Sequence, residues 1–141
     1  MGETAAREDV SFLGSFQGPE SVRDDLLETF PFHSPTQKIV TETKEFSAVC
    51  PFSGLPDYAS LKITYYPTGG RCVELKSLKY YVTSFRNVGV YQEEATALIR
   101  KHLEAVLECA VEVETVYNTR GGFDTICTEG SLSSPSGKTS L

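Results

Sequence analysis

Hydrophobic and polar positions along the chain change period several times, and each change marks an element. Between Gln37 and Val49 the residues Ile39, Val40, Thr41, Thr43, Phe46 and Val49 give a strand pattern of imperfect alternation that runs into Cys50. Pro51, Gly54 and Pro56 follow at once, so a loop separates this strand from the next. A second strand over Leu61 to Tyr66 ends at Pro67-Thr68-Gly69-Gly70, and Cys72 to Leu75 reads as the start of a third. From Glu93 onward Ala95, Leu98, Ile99, Leu103, Val106 and Leu107 recur at helical spacing, while Glu94, Arg100, Lys101, Glu104 and Glu108 fall largely on other faces. This is the clearest helix of the chain. Val111, Val113, Thr115 and Tyr117 then alternate with Glu112, Glu114 and Val116, and Thr119-Arg120-Gly121-Gly122 turns the chain into Phe123 to Cys127, which is a hairpin.

The two ends lack such periods. Residues 1–35 mix Gly, Pro and charge, and the Pro31 to Pro35 stretch interrupts any helix begun over Val22 to Phe30, so they read as a docked arm with at most one short helix. Gly130 to Leu141 is Ser, Gly and Pro with one lysine, too polar to bury, and is expected to be a mobile tail. The chain thus divides into an arm (1–35), a domain (36–129) and a tail (130–141). Strands, a helix and two further strands, without internal repeat, predict an α+β domain with an antiparallel sheet and helices on one face. Its open edges favour self-association.

Composition narrows the function. At 141 residues the chain fits one domain. A net charge of -6 offers no broad basic surface, so no nucleic acid is expected and a small molecule is the better substrate. No segment approaches the roughly 20 apolar residues of a membrane span, and MGETAAREDVSFLGSF has no secretory pattern, so a cytoplasmic protein and no membrane partner are expected. Cys50, Cys72, Cys109 and Cys127 form no CxxC pair, and His33 and His102 are not spaced with a cysteine, so no metal site is expected.

Two segments carry candidate chemistry. Cys50 leaves a strand for a rigid turn, and Asp57 follows within the same loop. A thiolate attacks electrophilic carbon well, and a nearby carboxyl group can protonate the atom that takes up charge. The alternative is a buried structural thiol beside a solvated turn carboxylate, which spacing alone favours. In the second segment Lys76, Ser77 and Lys79, near a strand-to-helix junction, could hold a nucleotide phosphate. A buried Glu93 could accept paired hydrogen bonds from the amidine-like edge of a purine. The plain alternative is Lys and Glu in water on an amphipathic surface. Arg120-Gly121-Gly122 reads as a hairpin turn, with contact to a phosphate as its alternative role.

Together, VCPFSGLPDYA, ELKSLKYY, SFRN and RGGFD, in this order between about Phe46 and Cys127, resemble the single-module NADPH-dependent 7-cyano-7-deazaguanine reductases. The resemblance implies that Cys50 forms a thioimide with the nitrile carbon of 7-cyano-7-deazaguanine and that Asp57 is the proton donor. It further implies that Val73, Glu74 and Leu75 contact the deazapurine, that Glu93 grips its guanine-like edge, and that Lys76, Ser77 and Lys79 contact NADPH. Gln92 stands where the family usually has His; it can hydrogen-bond the substrate but cannot shuttle a proton. The family's tunnelling fold implies self-association into a ring-shaped β-barrel with active sites between subunits. The product would be the 7-aminomethyl base of queuosine biosynthesis. Three alternatives stand beside this reading. An amidinotransferase-like enzyme would act on the nitrile in tRNA without NADPH. A zinc GTP cyclohydrolase of the same fold would need a ligand set that this chain lacks. A purine-binding assembly protein would use Cys50 only structurally.

Overall fold

The structure, a computed structural model, describes residues 14–135; the beginning of the expected arm and the end of the expected tail lie outside the described residues. Strands β1 (Thr29–Pro31), β2 (Ile39–Val49), β3 (Pro56–Tyr65) and β4 (Arg71–Val73) are followed by helices α1 (Leu75–Thr83) and α2 (Gln92–Leu107). The hairpin strands β5 (Val111–Arg120) and β6 (Phe123–Glu129) come last. The main sheet is antiparallel in the order β2-β3-β5-β6, and β1 pairs with β4 in a separate two-stranded sheet. The third strand inferred from Cys72 to Leu75 is therefore short and outside the main sheet.

Alternation decides which face is covered. Ala59, Leu61, Ile63 and Tyr65 of β3 and Val111, Val113 and Tyr117 of β5 are buried on one face, where α1 lies by β2 and α2 by β5 and β6. Under α1, Phe46 meets Phe85 and Phe85 meets Tyr81 edge to face at 5.2 and 5.4 Å, and His102 Nδ1 lies 2.7 Å from the Tyr81 hydroxyl. Truncating a fully buried ring such as Phe85 to Ala should cost about 3–5 kcal/mol.

Four local outcomes differ from the periodic reading. Residues 75–83 form a helix that alternation had hidden: the Glu74 side chain accepts from the Lys76 and Ser77 amides, and Leu78, Tyr81 and Val82 turn inward. The segment 22–30 holds a 3₁₀ turn (Asp24–Leu26) and part of β1 instead of an α-helix. Pairing with β2 starts β3 at Pro56, ahead of Leu61, because Ala48 and Val49 face Asp57 and Pro56. Asp57 is thus a strand residue. Finally, the hairpin turn is confined to Gly121 and Gly122, with φ of 57° and 85°, and Arg120 still pairs with Phe123.

The link from α1 to α2 is held on both sides. Gln17 N–H donates to Asn87 O (2.9 Å) and Gly89 N–H to Gln17 O (2.7 Å). On the other side Val49 N–H donates to Val88 O (2.8 Å) and Val90 N–H to Val49 O (3.0 Å). A Cβ on Gly89 would lie 2.2 Å from the Phe16 ring, so any other residue here would force that ring to shift. The arrangement sets the start of α2 beside Cys50.

Candidate active site

Cys50 follows the last residue of β2, and Asp57 faces Ala48 near the start of β3. The two line one cavity and both engage Arg120, which brings thiol and carboxyl together at the same end of the sheet. The turn between them is closed by Cys50 N–H to Leu55 O (2.9 Å) and Gly54 N–H to Cys50 O (2.8 Å), with Gly54 at φ 77°. The Ser53 hydroxyl oxygen accepts from Leu55 N–H (3.2 Å), which leaves its proton for the sulfur.

Both groups are buried, Cys50 to 9 % exposure and Asp57 to 3 %. Burial pushes the Cys50 thiol up, but hydrogen bonds from the Ser53 hydroxyl, the Ser53 and Phe52 amides and the Arg120 guanidinium outweigh it, and the thiol ends below its ordinary value. Asp57 goes the other way. Burial raises it, and the positive charge of Arg120, whose Nη1 contacts Asp57 Oδ1, only partly opposes the rise. A thiol eased towards thiolate beside a carboxyl eased towards its acid form is an arrangement able to hand one proton across.

A cavity of about 500 Å³ opens over this pair, a volume suited to a fused bicyclic heterocycle. Gln92 and Glu93, in the first turn of α2, form one wall; Tyr91, Asn118, Arg120, Phe123 and Thr125 line much of the rest. Tyr91, the N-cap of α2, makes no side-chain capping bond. The amides of a helix start favour negative charge and hydrogen-bond acceptors.

The structure therefore brings together Cys50, Asp57, Gln92 and Glu93. Glu93 is exposed on the cavity wall, not buried as its purine-gripping role suggested, because it sits on the first turn, ahead of the buried Ala95 and Thr96. Val73, Glu74, Leu75, Lys76, Ser77 and Lys79 lie elsewhere in the chain, along β4 and α1. Val73 is buried, with its N–H donating to the Tyr65 hydroxyl (3.1 Å). The Glu74 carboxylate caps α1. The Ser77 hydroxyl accepts from Glu28 N–H (2.9 Å) and donates to Glu74 O (2.7 Å). Leu75 and Lys76 are exposed, and Lys79 pairs with Glu45. Arg120 is the residue that sequence reasoning missed: it was assigned to a turn, whereas the last position of β5 delivers it to Asp57. Among the described residues no group of three or more His, Cys, Asp or Glu could hold a metal ion, and no helix is long and apolar enough to cross a membrane.

Comparison with known proteins adds four findings. A family model described as QueF-like protein matches residues 56–134. The chain is 53 % identical over 118 residues to the NADPH-dependent 7-cyano-7-deazaguanine reductase of Thermotoga maritima, covering 83 % of this chain and 86 % of that protein. Identity is 47 % over 111 residues to the reductase of the same name from Caldicellulosiruptor bescii, covering 77 % and 84 %. Among solved structures, the archaeosine synthase QueF-Like in its apo form superposes with a TM-score of 0.60 at 22 % identity, over 73 % of this chain and all of that one. That likeness concerns the fold, which is the expected α+β tunnelling fold.

Proposed function

The chain belongs to the QueF-like family and acts as an NADPH-dependent 7-cyano-7-deazaguanine reductase of queuosine biosynthesis; we propose that Cys50 captures the nitrile carbon and that Asp57 carries the proton. The observation that carries this reading is the Cys50 thiol facing Asp57 under a cavity walled by Glu93. Arg120 offsets part of the burial penalty on the Asp57 carboxylate, the form that accepts a proton. Asp57 takes the thiol proton, and the sulfur adds to the nitrile carbon as one π bond of the C≡N group breaks. The nitrogen then recovers that proton from Asp57, which leaves a neutral thioimide on Cys50 and a carboxylate beside Arg120. A nitrile resists direct reduction, and covalent capture turns it into a more electrophilic C=N group.

NADPH supplies two hydride equivalents per nitrile to reach the aminomethyl product. The residues of α1 fit such a dinucleotide in part. Lys76 and Lys79 present ammonium groups on its exposed side, suited to phosphates, although Lys79 must leave Glu45. The Ser77 hydroxyl is engaged within the chain and serves by holding the helix start.

Val73, Glu74 and Leu75 lie away from the cavity of their own chain, so their contact with the deazapurine belongs to a site completed by a second copy. Open edges on β2 and β6, with exposed Val40 and Ile126, support a ring-shaped homo-oligomer in which each cavity is closed by its neighbour. Gln92 hydrogen-bonds the substrate without proton transfer, which leaves Asp57 as the acid. The protein works in the cytoplasm.

The test is to mix the protein with 7-cyano-7-deazaguanine, weigh it intact before NADPH is added, and then follow NADPH absorbance. The reading requires an adduct of the nitrile's mass that Cys50→Ala abolishes, and two NADPH oxidised per nitrile. An adduct without NADPH oxidation would instead favour amidino transfer.

A further inference from the structure

The first turn of α2 carries both Gln92 and Glu93, yet its N-cap supplies no side-chain bond. The backbone clamp on residues 87–90 sets where α2 begins, and a second anchor lies within the helix itself. Thr96, one turn into the helix, and Thr115, on β5, are both fully buried, and their hydroxyl oxygens are 2.7 Å apart. Thr96 Oγ1 is also 2.9 Å from the carbonyl oxygen of Gln92.

The protons in this cluster can be placed. A carbonyl oxygen only accepts, so the single Thr96 proton goes to Gln92 O. Thr115 must then be the donor to Thr96. The result is a one-way ladder, Thr115 to Thr96 to Gln92 O, that ties the interior of β5 to the helix turn facing the cavity. Valine has nearly the same shape and would bury without hydroxyls that need partners. Two threonines here are thus explained by direction, which packing alone does not supply.

A third hydroxyl extends the row. Tyr117, the next inward residue of β5, is buried with its hydroxyl unpaired among the described residues. Burial raises its pKa, the charges of Cys127, Asp57 and Glu93 add to the rise, and the neighbouring Thr115 side chain partly opposes it.

We propose that Thr96 and Thr115 are positioning residues, whose hydroxyl ladder anchors the first turn of α2 to β5 and sets the approach of Gln92 and Glu93 to the deazapurine. This rests on the reading of Glu93 as the substrate's carboxylate partner.

The experiment compares the full chain with Thr96→Val, Thr115→Val, the double variant and Thr96→Ser, using 7-cyano-7-deazaguanine and NADPH. Each valine variant should raise KM for the nitrile about fivefold, the factor that one net hydrogen bond contributes. The value of kcat should stay within about twofold, as should the yield of Cys50 adduct at saturating nitrile. The double variant should be no worse than either single one, because both break the same ladder. Thr96→Ser should restore KM.

Valine variants with wild-type KM would overturn the proposal, whether or not they melt earlier. So would a loss in kcat and KM that Thr96→Ser fails to rescue, since that marks general damage to folding. The reading beneath it fails separately: a wild type that oxidises no NADPH with the nitrile, or a Glu93→Gln variant of unchanged KM, removes the function assigned to Glu93 and the ladder's role with it.

Discussion

The two helices of this chain begin in opposite ways. At the start of α1 the Glu74 carboxylate accepts from the Ser77 amide at 2.7 Å and the Lys76 amide at 2.9 Å, and those backbone bonds hold it below the usual carboxylate range. At the start of α2 the cap residue offers no side-chain bond, and the turn opens on a cavity with a thiol, a carboxyl group and a guanidinium. Both segments carried candidate ligand residues in the sequence. One has satisfied its amides with its own side chain, and the other leaves its carboxylate exposed on the cavity wall. A helix start is therefore read for ligand binding by asking which groups already occupy its donors.

The largest effect that would break this contrast lies at the open end. Asp57→Asn removes the proposed proton carrier while keeping the shape, so turnover should fall about a hundredfold or more. Stability should move the other way. Asp57 has its folded pKa raised, so the stability linked to it is present below the ordinary Asp value and lost as pH rises through the folded one. At neutral pH the wild type bears the burial of that charge, and Asp57→Asn should melt higher. The gap should close on acidification below the ordinary Asp value. Equal melting temperatures at neutral pH would mean that Arg120 fully offsets burial.

Glu93→Ala comes next. An exposed carboxylate that grips a purine edge by paired, charge-assisted bonds should raise KM by about tenfold to a hundredfold when removed. Because Glu93 is exposed, the melting temperature should hardly change. A lower melting temperature with unchanged KM would assign this residue to the fold and undo the contrast with Glu74.

How much of this was legible depended on how far each feature reaches along the chain. Cys50 and Asp57 flank one turn, yet spacing alone favoured a structural thiol beside a solvated carboxylate, and it was the resemblance carried by VCPFSGLPDYA that paired them. The helix α2 was legible because Ala95, Ile99, Leu103 and Leu107 keep one buried stripe. Helix α1 was not, since exposed Leu75 and Tyr80 blur a stripe made by Leu78, Tyr81 and Val82 over nine residues. Strands β1 and β4 span three residues each, too few for any period to show. Arg120 meets Asp57 across 63 positions, a contact set by the register of β3 on β5 that no local pattern encodes. The exposure of Glu93 likewise follows from where α2 begins, which the clamp between Gln17 and Val49 decides.

The smallest expected effect tests the closed end. Glu74→Ala frees two amides at the start of α1 and should lower the melting temperature by a few degrees at neutral pH. Here the linkage has the opposite sign to that of Asp57. The folded pKa of Glu74 is lowered, so its contribution is present above the ordinary Glu value and fades as pH falls through the folded one. The difference between wild type and Glu74→Ala should therefore narrow in acid, and thermal melts at several pH values read it directly. KM for the nitrile stays within about threefold where this stretch meets a neighbouring cavity through its backbone, and rises where it does so through the capped carboxylate. If Glu74→Ala instead raised KM sharply with an unchanged melting temperature, this carboxylate would be working on a ligand, and both helix starts would belong to one composite site.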